Sequence, residues 1–372
     1  MRFMRWIRSA VSAVVLMTLV YQSVSAADQP FHIEKVASQL GVVWGMELID
    51  SKRILFTQRS GKAGLLDLRN NQVTWLSGLP EVHAHNQGGL LDVKIPADYA
   101  THGWIYFTYS KPDLLQAQTT LARARLEKTS LVDWQDLLVT DSKSFRNIHF
   151  GSRIAFDDAG HLFFSIGDRG ERANAQDLSN HAGSILRLNR DGSVPEDNPF
   201  VGDPNVRDEI WSFGHRNPQG LYYDSATSQL WEIEHGPRGG DEINLIEKGK
   251  NYGWPIVSQG KEYFSNTQVG VKHKPGMQEP VKIYVPSIAP SDLILYRGQE
   301  FSAWQGDLLT GALKLQHLNR IRFNDSLQPI RERRYLQDLN ERIRSLAVDA
   351  SGRIYVGTDT GHIYRLSNAN LH

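Results

Sequence analysis

Short apolar runs broken by polar turns set the rhythm of this chain. An apolar strand-like stretch, then Asp or a polar turn with Gly, then a second aromatic or apolar stretch can be read at six places. They are GMELIDSKRILFTQ from Gly45, LLDVKIPADYATHGWIYFTYS from Leu90, RIAFDDAGHLFFSIGD from Arg153, GLYYDSATSQLWEIEHG from Gly220, SDLILYRGQEFSAWQGDLLTG from Ser291 and SLAVDASGRIYVGTDTG from Ser345. Their starts lie about 45 to 70 residues apart, which suits four-stranded blades with insertions. Helical periodicity is almost absent. The pattern predicts an all-β fold, a six-bladed β-propeller with four-stranded blades around a central channel. A β-sandwich or two smaller β domains would call for a linker-like break in composition, and none divides the chain.

The first residues have a different character. Arg2, Arg5 and Arg8 precede an apolar run from Ala10 to Val20, and Val24-Ser25-Ala26 precedes Ala27. This is the pattern of a cleavable signal peptide over 1–26, and the run is short for a membrane span. The expected mature chain is one propeller domain over 27–372, exported to the periplasm, with no transmembrane anchor after processing. Without the three arginines, 38 basic side chains face 41 acidic ones, a net charge of −3. Nothing in that balance favours nucleic acid or anionic lipid as a partner. Cysteine is absent, which rules out disulfides, zinc thiolates and thiol chemistry.

In a propeller the ends of the inner strands and the loops of one face surround the axis, so polar residues there converge from distant positions. Gln87, His149, Asp168, Arg216, Asn217, Gly236, Pro237, Lys314, Arg342 and Arg344 all lie just before or after the recurring strands. Arg342 and Arg344, at strand spacing, share one face. Taken singly each cation is an ordinary solvated loop charge. Gathered on an axis, Arg216, Lys314, Arg342 and Arg344 would repel one another unless an anion with several carboxylates or phosphates sat among them. The segment EIEHGPRGGDEINLIEKGKNYGWP can form a loop with inward carbonyls beside Asp241 and Glu242, oxygen ligands of the kind calcium takes, or it can be a common Gly/Pro turn. His149 should begin an inner strand and Asp168 end the next, which can bring a carboxylate against an imidazole and raise its basicity. A histidine satisfied by a local turn is the alternative.

Taken in order, HNQGGLLDV, HFGSRIAFDDAGHLFFSIGDRG, GHRNPQGL, HGPRGGDEINLIEKGKNYGWP and PSIAPSDLILY, with the later Lys314 and Arg342/Arg344 segments, resemble the soluble quinoprotein sugar dehydrogenases. Among these the chain is most similar to the bacterial aldose sugar dehydrogenases, relatives of soluble glucose dehydrogenase. The resemblance implies pyrroloquinoline quinone (PQQ) and calcium as cofactors. The quinone's three carboxylates would meet Arg216, Lys314, Arg342 and Arg344, with Asn217, Gln87 and Ser291 as further contacts. The carbonyls of Gly236 and Pro237 would hold the catalytic calcium, and Glu242 with the Tyr252 carbonyl a structural one. His149 would act as the base, oriented by Asp168, while Arg216 and calcium polarise the quinone carbonyl. An aldose would be oxidised at C1 and the electrons passed to an external acceptor. Ala173 stands where the glucose enzyme has a polar sugar contact, which implies a less selective sugar site.

Two other functions suit a six-bladed propeller. A calcium-dependent lactonase would want carboxylates and an Asn around an axial metal, whereas the axial candidates here are mostly Arg, Lys and His. A non-catalytic glycan-binding propeller would show exposed aromatic platforms, but Trp104, Trp211 and Trp231 fall in strand-like runs where packing is the expected role.

Overall fold

The computed structural model describes residues 31–369. The proposed signal peptide over 1–26 lies outside them. Six four-stranded antiparallel sheets follow one another along the chain. Each of the six repeats read from the sequence forms the first two strands of one sheet. The sheets begin with Val43–Asp50, Leu90–Lys94, Ile154–Phe156, Pro218–Asp224, Pro290–Leu295 and Ile343–Val348. These six first strands pack against their neighbours in a closed ring, the last against the first. The sixth blade takes its outer strand from the other end of the chain, where Phe31–Ala37 pairs antiparallel with Ile363–Asn368. That closure leaves no open seam between the first and last blades.

Apolar side chains from facing blades fill the spaces between them. One such cluster joins Phe31, Phe301, Trp304 and Tyr335 of the last two blades, with Phe301 and Trp304 stacked at 4.8 Å between ring centres. Of the three tryptophans expected to pack, Trp231 is buried. Trp104 and Trp211 are partly buried, Trp104 under Arg123 and Arg125 and Trp211 under Arg187.

Buried ion pairs link the inner strands. Arg153 reaches inward, donates to Asp92 Oδ1 at 2.8 Å and lies 3.6 Å from Asp292 Oδ1. It also donates to the carbonyls of Gln219 and Arg344, and its guanidinium stacks 4.3 Å from the Trp44 ring centre. Burial raises the Asp92 carboxyl to about 6, opposed by Arg153. This buried group of charges makes a floor under Trp44, and above it opens the face that carries the candidate residues.

Candidate active site

His149 and Asp168 sit in loops rather than in strands, His149 ahead of Ile154–Phe156 and Asp168 just beyond His161–Ile166. The expected contact forms all the same, with His149 Nδ1 2.6 Å from Asp168 Oδ1. His149 takes a left-handed backbone, φ 53°, uncommon for a residue with a side chain. Its N–H is held there by Gln87 Oε1 at 2.8 Å. Gly167 makes the approach possible, since a Cβ at that position would lie 2.4 Å from the His149 carbonyl oxygen. Asp168 is 1% exposed. Its Oδ1 also accepts from the Gly170 N–H at 2.7 Å, and its Oδ2 accepts from Trp254 Nε1 at 2.8 Å.

Burial alone would raise the Asp168 carboxyl, but the hydrogen bond with His149, helped by Arg216 and Gly170, takes it below the usual carboxylate range. Burial pushes the His149 imidazole below the ordinary histidine value, against the raising effect of Asp168 and with the help of Arg216. At neutral pH a neutral imidazole therefore faces a carboxylate. The carboxylate can only accept, so Nδ1 carries the proton and Nε2 is the basic nitrogen.

Beside the dyad, Trp44, Gln87, Asn217, Gln219 and His235 line a cavity with three guanidinium residues, Arg59, Arg342 and Arg344. Arg342 and Arg344 share one carboxylate, each donating through Nε to Asp359 at 2.8 Å. Burial depresses the Arg59 guanidinium, and the like charges of Arg344 and Arg342 depress it further against Asp359. Three cations with a single acid leave the cavity net positive, which is the chemistry a polycarboxylate fits. His235 adds no charge, because burial lowers it to about 3, and its Nε2 bonds the Pro290 carbonyl at 2.5 Å.

The sequence candidates divide at this point. Gln87, Asn217, Arg342 and Arg344 come together at the cavity. Lys314 is exposed in the turn next to Leu313, a lining residue, and does not join the cluster. Ser291 is corrected. Its side chain is fully buried between blades and donates to the Ile343 carbonyl at 2.7 Å, so the alternation of the inner strand turns it away from the cavity. Arg216 occupies an adjoining pocket, where Nη1 donates to the His235 carbonyl at 3.0 Å and the guanidinium lies 5.3 Å from the Trp254 ring centre. Arg59 and Trp254 were missed. Arg59 follows the strand Arg53–Gln58 much as Asp168 follows its own, and that position was the available signal. Trp254 reaches Asp168 across 86 residues, with no local signal at all.

The adjoining pocket also holds Gly236, Glu234, Glu242 and Tyr252. Among the described residues no hydrogen bond ends on the carbonyls of Gly236, Pro237 or Tyr252, so their oxygens are available to a cation. Asp241, offered from the sequence as an oxygen ligand, is already engaged. It accepts from Gly236 N, Ile288 N, Ala289 N and Ser287 Oγ, and so fixes the glycine loop instead. Beneath the pocket, His215, Glu232 and Glu234 bring ligand-type atoms within 4.8 Å of one another. Burial and the neighbouring Glu234 push both Glu232 and Glu242 well above the usual carboxylate range. Such a set of carboxylates and carbonyls fits a hard divalent cation.

The family model described as glucose/sorbosone dehydrogenase matches residues 40–365. Aldose sugar dehydrogenase YliI of Escherichia coli is 35% identical, covering 93% of this chain and 95% of its own. Quinoprotein glucose dehydrogenase B of Acinetobacter calcoaceticus is 27% identical, over 91% and 87% respectively. The crystal structure of the soluble aldose sugar dehydrogenase of Escherichia coli in its apo form superposes with a TM-score of 0.87 at 35% identity, covering 91% of this chain and 99% of that one. Matched over residues 40–365 by the family model and folded as a six-bladed ring, this chain belongs to the glucose/sorbosone dehydrogenase family of sugar oxidoreductases.

Proposed function

We propose that this protein oxidises aldoses at C1 to lactones, using PQQ and calcium, and passes the electrons to an external acceptor. The observation that carries the reading is a neutral imidazole backed by a carboxylate and joined through Gln87 to a cavity lined by three guanidinium groups. Arg59, Arg342 and Arg344 would hold the quinone carboxylates, with Asn217 and Gln219 as neutral partners and Trp44 as the floor. The cofactor supplies the electrophilic carbon that accepts hydride. His149 Nε2 takes the proton from the anomeric hydroxyl as C1 gives up hydride, and Asp168 holds the imidazole in that tautomer and supports its transient positive charge. Arg216, fixed by the His235 carbonyl and by stacking on Trp254, would supply positive charge to stabilise the negative charge that develops on the bound cofactor. The carbonyls of Gly236 and Pro237 would hold the calcium beside it, and Glu242 with the Tyr252 carbonyl a second ion. A lactonase is less well supported, because arginines rather than carboxylates dominate the cavity.

The chain would reach the periplasm through the leader over 1–26 and act as one domain over 27–372. No helix among the described residues is long and apolar enough to cross a membrane. The test is reconstitution of the chain from residue 27 with PQQ and calcium, followed by dye reduction with glucose, galactose, xylose and maltose. Activity requiring both additions, spread over several sugars, is expected. Absence of quinone binding would overturn the reading, and dominance of one sugar by orders of magnitude would overturn the broad specificity suggested by Ala173.

A further inference from the structure

Two oxygens of Asp168 are held by different partners. Oδ1 faces His149 and the Gly170 N–H, while Oδ2 takes a single side-chain donor, the indole N–H of Trp254 at 2.8 Å. Trp254 is itself well fixed. It is 5% exposed, its backbone N–H donates to the Gly214 carbonyl at 2.9 Å and its backbone carbonyl accepts from Gln176 Nε2 at 2.7 Å. Two guanidinium groups stack on its ring, Arg216 at 5.3 Å and Arg172 at 5.4 Å, and Arg172 is tied to Glu262. A carboxylate with one oxygen unheld can rotate about its terminal torsion, which is broad and roughly two-fold. An indole donor removes that freedom.

We propose that Trp254 is a positioning residue for proton transfer: its indole N–H pins the outer oxygen of Asp168 so that the inner oxygen stays on His149 Nδ1. The inference rests on the acid–base role proposed above for His149. It also sets how basic His149 is. A donor on Oδ2 draws negative charge away from Oδ1, so its loss makes Asp168 a stronger acceptor and His149 easier to protonate. The other charged groups acting on the pair are Arg216 and Arg169, with His235 and Arg172 farther out. Arg169 donates through Nε and Nη1 to the carbonyls of Ile148, Ala117 and Ser142, and its charge acts on His149 less strongly than that of Arg216, the principal cation facing the dyad.

The decisive variant is Trp254→Phe, which keeps a ring but no donor. The His149 imidazole is titrated by NMR in the apoprotein, assigned by its absence in His149→Ala, and its pKa should rise by about half a unit to one unit. In the PQQ-loaded enzyme the acid limb of the rate should move to higher pH with it, and kcat should fall roughly 10-fold from looser positioning. Introduced into an Asp168→Asn background, Trp254→Phe should cause no further change in either quantity, because its effect passes through that carboxylate. An unmoved His149 titration, or an equal effect with and without Asp168, would overturn the proposal and make Trp254 a packing residue. If Trp254→Phe does not fold, the wild-type indole proton carries the test: its resonance should shift as His149 titrates, and a resonance indifferent to that titration overturns the proposal. A wild-type enzyme that oxidises no sugar would instead defeat the functional reading, while the apoprotein titration would still decide the role of Trp254.

Discussion

Arg344 and Arg342 meet on a single carboxylate, Asp359, each through Nε at 2.8 Å. With Arg59 beside them, the cavity holds more positive charge than its acid can balance. Replacing Arg344 by Met should therefore weaken quinone binding by about 10- to 100-fold, the worth of a charge-assisted hydrogen bond, while leaving kcat at saturating quinone within a few-fold. Lys314→Ala should do less, because Lys314 is exposed and outside the cavity. Equilibrium titration of the apoproteins with PQQ measures both, and an unchanged affinity in Arg344→Met would place the cofactor elsewhere.

His149→Ala should keep quinone affinity and lose at least ~10²-fold in turnover, the low end of what a positioned base contributes. Near-normal turnover in steady-state assays would remove His149 from the reaction.

Burial holds the His149 pKa below the ordinary histidine value of 6.5. A base works only when unprotonated, so activity should persist below pH 6.5 and fall only as the pH drops through the lowered value. A pH–rate profile whose acid limb lies above 6.5 would contradict this.

The same sign governs stability. His149, His235 (about 3) and His317 (about 4) all take up protons less readily in the fold than in the unfolded chain. Between 6.5 and those values the unfolded chain binds more protons, so their contribution is complete above pH 6.5 and is lost as pH falls, by roughly a few kcal/mol toward pH 4. Thermal melts from pH 7 to 4.5 should show the decline, and His235→Gln should flatten part of it.

Calcium should raise the melting temperature by roughly 3 °C or more at concentrations far above its dissociation constant, and a chelator should reverse the gain. Glu242→Gln should reduce it, since that carboxylate lines the pocket with Tyr252 and Gly236. An identical gain in the variant would move the ion away from Glu242.

The alternation of apolar and polar positions determined the fold. Each strand must turn one face inward, and six repeats of strand, polar turn and strand could be counted without knowing how they met. Positions at or just outside the strand ends were legible as ones a propeller gathers, and Gln87, His149, Asp168, Asn217, Arg342 and Arg344 do come together on one face. Tertiary structure alone decided the partners. Ser291 lies in a short inner strand buried along its whole length, where its hydroxyl bonds the Ile343 carbonyl, and so brief a run carries no periodicity that reveals this. Lys314, exposed in its turn, is not among the residues that line the cavity, while Arg59 is. Trp254 reaches Asp168 from another blade, where direction depends on the packing of a long loop. Sequence fixes which face a residue can occupy, and only the closed ring fixes what stands opposite, because contacts between blades join positions whose separation along the chain carries no periodic signal.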